Sequence, residues 1–156
     1  MARRLKHRRE PTKDVELFWR LPDELTIQAK RAVYFFRRKG SRAILYIGKA
    51  DRQTVRSRLF CRSKDGLLKP ARDDRGGVKV FVAGLYTTRP VTPALIDDVE
   101  RLLIFMVHPS GNRTGKASCR LHHRDLVVRC AGEWPHPRTV FSYANDFPRS
   151  LSYGSE

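Results

Sequence analysis

The chain has 156 residues and a formal net charge of +16, its 32 basic side chains being 23 arginines and 9 lysines. That length fits one domain, and no apolar run approaches the roughly 20 residues of a membrane span. An excess of guanidinium groups predicts a polyanionic partner, because arginine suits two-pronged phosphate contacts. No basic amphipathic helix with an aromatic face is visible, which argues against binding to a membrane surface.

Residues 1–13 read as a flexible basic arm. Its start, "MARRLKHRRE", has no apolar stretch of the kind a secretory leader needs. The segment 14–31 contains Pro22, followed by a short helix-like piece. Residues 32–38, "AVYFFRR", and 42–48 read as two strands joined by a turn at Lys39, Gly40 and Ser41, a β-hairpin. Tyr34 and Phe36 share one face; Ile44, Tyr46 and Gly48 share one on the second strand, with Val33, Phe35, Leu45 and Ile47 opposite. Both faces are apolar, so both strands are expected to be central and covered on both sides.

Asp51 is expected to cap a helix running to about Phe60, with Arg52 and Arg56 on one face and Val55 and Leu59 as core contacts. A charged loop over 62–77 precedes a third strand, 78–88. The segment 92–109 carries the strongest helical pattern, with Thr92 as N-cap, Pro93 at the first helical position and Pro109 as the stop. Strands are expected near 125–134 and 138–143, with 144–156 frayed. The predicted fold is α/β, a small mainly antiparallel mixed sheet of three or more strands flanked by helices. A core over 14–115 would be followed by an extension, 116–156, packing on or beside it.

Three cysteines, Cys61, Cys119 and Cys130, are sparse and odd in number, which favours reduced thiols and a cytoplasmic setting. The spacing of Cys119, His122, His123, Cys130 and His136 matches no zinc pattern. "SGNRTGKAS" lacks both phosphate-loop spacing and a preceding strand. Glu100 stands out more, because it sits among Ile96, Leu103 and Ile104 on the apolar helix. A carboxylate there needs a cation or hydrogen bonds to offset its desolvation.

Taken together, Ala32-Val33-Tyr34, Tyr46-Ile47-Gly48, Arg56, Glu100 and Asn112 follow one another at spacings that resemble the GIY-YIG nuclease family. The Lys49-Ala50 pair is similar to its excision-repair members, and the likeness spans about residues 32–112. Ala32 stands where the family usually has glycine, and Phe60 where many relatives carry a hydroxyl or histidine. The 62–77 loop is long for the minimal domain of the family.

The resemblance implies a metal-dependent endonuclease that hydrolyses DNA phosphodiesters. Glu100 would hold Mg²⁺ or Mn²⁺, hard cations that prefer oxygen ligands. Tyr34 would orient or deprotonate the attacking water, its phenol lowered by Lys49 and the positive field. Tyr46 would hydrogen-bond near the nucleophile or phosphate, and Arg56 would stabilise charge in the transition state. Gly48 would give the phosphate room, with Lys49, Arg52 and Arg56 as phosphate contacts, and Asn112 would anchor a loop. A protein partner could supply substrate preference. The alternatives are a non-catalytic nucleic-acid-binding protein that reuses the fold and a basic structural protein.

Overall fold

The computed structural model describes residues 10–59 and 77–146. The expectations for 1–9, for Phe60 and the loop up to residue 76, and for 147–156 lie outside the described residues.

The chain forms β1 (Val15–Trp19), α1 (Glu24–Ile27), β2 (Ala32–Arg38), β3 (Ile44–Ala50), α2 (Val55–Leu59), β4 (Val78–Tyr86), α3 (Pro93–Val107), β5 (Val127–Gly132), β6 (Val140–Ser142) and α4 (Tyr143–Asp146). The six strands make one sheet in the order β3-β2-β4-β1-β5-β6. All neighbouring pairs are antiparallel except β1 with β5, which run parallel. The α/β class with a mainly antiparallel mixed sheet is therefore the observed one.

One strand was not expected. In β1, Val15, Leu17 and Trp19 are fully buried while Phe18 between them is exposed, the alternation of a strand with one face on the core. It joins β4 to β5, so the segment after residue 115 continues the same sheet.

The hairpin departs from expectation in two ways. β2 is central, but β3 is the edge strand among the described residues. A register shift between Phe36 and Arg37 pairs Phe36 with Tyr46 but Arg37 with Ile44. One extra residue on the bulged strand turns the side chains before it over. Ile44 therefore packs with Val33, Phe35 and Ile47 under α3, while Leu45 joins Tyr34, Phe36 and Tyr46 on the other face.

The exposed edge of β3 is blunted by the loop after α3. Gly111 N donates to Leu45 O at 2.7 Å, and the buried Asn112 side chain both accepts from Ile47 N and donates to Ile47 O, each at 2.9 Å. An open edge would otherwise offer unpaired backbone groups to another chain.

α2 also begins later than expected. Its first turn is closed by Thr54, whose Oγ accepts from Ser57 N at 3.1 Å. Arg52 therefore lies before the helix, in a bend, and not on a helical face with Arg56. Thr92 does cap α3, accepting from Leu95 N, with Pro93 at its first position. α3 closes on His108, held in the left-handed region at φ 53° with its N–H on Ile104 O. Residues 143–146, partly within the segment read as frayed, form a helical turn.

The main core lies on the α3 face of the sheet, where Trp19 stacks on Trp134 and meets Phe35 edge-on. A smaller cluster on the other face packs Tyr34, Phe36 and Val82 against Val55 and Leu59 of α2.

Candidate functional site at the edge of β3

Tyr34 and Gly48 are register partners on β2 and β3. The Tyr34 ring lies over Gly48, where an added Cβ would come within 2.5 Å of the ring carbon Cζ and of the hydroxyl oxygen. Any other residue at 48 would collide with this ring. The glycine thus lets the phenol reach across the edge strand; the space expected for a phosphate holds Tyr34 instead. Tyr46 stacks alongside at 6.3 Å between centroids and on Phe36 at 5.6 Å.

Tyr34 is fully buried. Burial is the main cause that pushes its phenol above the ordinary tyrosine range; the neighbouring Tyr46 adds to this, Arg58 opposes it, and the Glu100 carboxylate reinforces it. The expectation that the positive field lowers this group is overturned, because desolvation outweighs the cation. The guanidinium acting on Tyr34 is that of half-buried Arg58, while Arg56, two residues earlier on α2, is exposed.

Lys49 points to the opposite side of β3 from Tyr34, as strand alternation requires. Its Nζ meets Asp97 Oδ1 at 2.7 Å, and Asp97 Oδ2 also takes Arg101 Nε at 2.9 Å. Two hollows adjoin this ion pair. Lys49, Asp51, Arg52, Gln53 and Arg58 line one of about 300 Å³, with three cations to one carboxylate. Asp97, Glu100, Arg101, Thr114, Ser118 and Arg120 line a second one of about 460 Å³, with two carboxylates and two guanidinium groups. Glu100 is half-buried and one helical turn from Asp97. Its oxygens, two hydroxyls and room for water suit a hard divalent cation, which keeps several waters.

The acid most deeply placed on α3 is one the sequence reading did not single out. Asp98 is fully buried. Its Oδ1 accepts from His122 N and pairs with His122 Nδ1, both at 3.0 Å. Its Oδ2 accepts from His123 N at 2.8 Å and pairs with His123 Nδ1 at 2.6 Å. Burial alone would raise this carboxyl, but the bonds from His123 and His122 outweigh it and hold it below the usual carboxylate range. Asp97, Asp98 and His122 each offer an atom within 4.8 Å of the others, a spacing compatible with a metal ion. Their partners count against one: Asp98 is saturated by the two histidines and Asp97 by Lys49 and Arg101. We read Asp98 as the anchor of the 119–126 loop on α3.

Of the residues singled out from the sequence, Tyr34, Tyr46, Gly48 and Glu100 gather about the β3 edge, with Asn112 holding that edge at Ile47. Lys49 and Arg52 share the adjoining basic hollow with Arg58, which the sequence reading missed. Cys119 and Cys130 are buried free thiols, pushed up by burial to about 11 and about 12, which suits core packing rather than metal ligation. No described helix is long and apolar enough to cross a membrane. Set against known proteins, the chain matches no family model, no curated protein and no solved structure at a significant level.

Proposed function

We propose that the protein is a divalent-metal-dependent endonuclease that hydrolyses DNA phosphodiesters at the β3 edge. One observation carries this reading. Residues from four separate segments, Tyr34, Tyr46 with Gly48, Glu100 and Asn112, meet around one strand edge beside a basic hollow. The net charge of +16 supports a polyanionic substrate. A cytoplasmic setting accords with the unpaired Cys119 and Cys130.

In this reading Glu100 would hold Mg²⁺ or Mn²⁺. The bound ion would neutralise the scissile phosphate and stabilise the leaving oxygen. Lys49, Arg52 and Arg58 would grip the phosphate, and Arg58 rather than Arg56 is the better placed to meet charge near Tyr34. Tyr34, kept protonated by burial, would orient the water through its hydroxyl rather than deprotonate it. Tyr46, only half-buried, would hydrogen-bond at the phosphate. The water oxygen would bond to phosphorus and give up a proton to solvent, one P–O bond would break, and the leaving oxygen would take a proton from solvent.

A second reading is a non-catalytic nucleic-acid-binding protein on the same fold. Complete burial of Tyr34 favours it, since a hydroxyl that orients the attacking water must reach that water. The two separate in a cleavage assay on single-stranded, duplex, branched and damaged DNA with Mg²⁺, Mn²⁺ or EDTA. The nuclease reading predicts cleavage with metal that EDTA abolishes and Arg58→Ala slows by about 100-fold or more. Binding to the same DNAs with no cleavage under any metal would select the second reading.

A further inference from the structure

Another hollow, of about 620 Å³, has none of Tyr34, Tyr46, Gly48, Lys49 or Glu100 in its lining. It opens where α3 ends, beside the start of β3 and the 134–138 loop. Arg42, His108, Ser110 and His136 line it, together with Pro135 and Pro137. No acidic side chain is among its described lining residues. That volume is within the range of small-ligand sites, which combine apolar walls with a few convergent polar groups.

The polar groups are donors. Arg42 is exposed and brings a guanidinium that donates only. His136 Nδ1 is engaged by the Arg138 backbone, 3.1 Å from its nitrogen and 3.4 Å from its carbonyl oxygen, and an imidazole in either tautomer keeps one N–H donor. His136 is itself braced by Trp134 and Phe141, with ring centroids at 6.2 and 6.1 Å. His108 is held in the left-handed region at φ 53°, unusual for a residue other than glycine; such conformations persist where surrounding contacts impose them and concentrate at ligand sites. A guanidinium with hydroxyl and ring N–H donors and no carboxylate among the described lining residues favours an anion, and the prolines with Ile44 and Val107 offer an apolar wall.

We propose that this hollow binds one nucleotide unit of the nucleic-acid substrate, its phosphate on Arg42 and His136 and its base against the prolines. The choice of a nucleotide among anionic ligands rests on the nucleic-acid reading above; the preference for an anion beside a flat apolar group does not. β3 connects the two places: Ile44 lines this hollow and Lys49 the basic one, roughly 17 Å apart at strand rise. An extrahelical or unpaired nucleotide held here would make the protein prefer DNA with bases free of the stack.

The test is metal-free, so it does not depend on cleavage. Thymidine 5′-monophosphate, thymidine and inorganic phosphate are titrated into the full chain while the His108 and His136 ring resonances are followed by NMR. The nucleotide is expected to shift both rings saturably, thymidine and phosphate at equal concentration to shift them at least tenfold more weakly, and Arg42→Ala to weaken the nucleotide by about 10-fold or more. Arg42 is exposed, so the variant is expected to fold, and its unchanged amide spectrum checks this. Equal binding by phosphate, equal binding by Arg42→Ala, or no saturable shift overturns the proposal. Nucleotide binding in a chain that cleaves nothing would leave the proposal standing and the nuclease reading fallen; cleavage without nucleotide binding would do the reverse.

Discussion

Asp98 and Glu100 lie on the same helix, and their surroundings give them opposite tasks. Asp98 is fully buried, with both oxygens bonded to the backbone and rings of His122 and His123. Glu100 is half-buried and lines a hollow with Asp97 and two hydroxyl groups. A carboxylate whose lone pairs are filled by fixed donors stabilises the fold and has nothing left for a ligand. A carboxylate beside open space retains access to water and ions. The apolar sequence context that drew attention to Glu100 is shared by both, so context alone does not tell a structural acid from a functional one. Burial and access to open space decide.

The largest structural effect is expected at Asp98. Asp98→Ala strands the backbone N–H groups and the ring Nδ1 atoms of both His122 and His123 and should cost about 3 kcal/mol, lowering Tm by about 6–12 °C for a chain of this size. The pH dependence follows from the direction of its shift. Its folded pKa lies below the unfolded one near 3.9, so its contribution is complete above about pH 4 and is lost as pH falls through the folded value. Urea melts at pH 7 and pH 3 should show the gap between wild type and Asp98→Asn narrowing in acid. A gap that widens would mean the histidines, not the carboxylate, hold the loop.

Gly48→Ala comes next, and it tests the ring that reaches toward Glu100. The new Cβ overlaps the Tyr34 phenol, so overpacking of about 1–3 kcal/mol is expected, along with a changed near-UV tyrosine signal. A silent substitution would show that Tyr34 does not lie over Gly48. Asn112→Ala should cost somewhat less, about 1–2 kcal/mol, by removing the two bonds at Ile47. Hydrogen exchange at Ile47 should speed up while that of Phe35, on central β2, stays slow; equal changes at both would point to general loosening.

Much of this arrangement was legible in the residues themselves. Thr92 and Pro93 mark the start of α3 because capping is local chemistry, and the two apolar runs around Gly40 mark the hairpin. β1 escaped notice although Val15, Leu17 and Trp19 alternate with Glu16, Phe18 and Arg20; exposed Phe18 blurs the period, and its apolar side gives no sign of facing outward. The faces of Ile44 and Leu45 depend on a bulge that only pairing with β2 reveals. Asp98 was unreadable for a similar reason, since the histidines that fill its oxygens come from a loop 24 and 25 residues later. Arg58 and Arg56 are both cations on one short helix, and only docking of that helix tells them apart.

The most direct test of the central claim is a paired measurement on Glu100→Gln: thermal unfolding, and Mg²⁺-dependent cleavage of DNA. The account predicts a Tm within about 2–4 °C of wild type, the shift of a surface-like change, and cleavage reduced by about 100-fold or more. Cleavage at the wild-type rate in a folded Glu100→Gln, or no cleavage by the wild type with either metal, would contradict it.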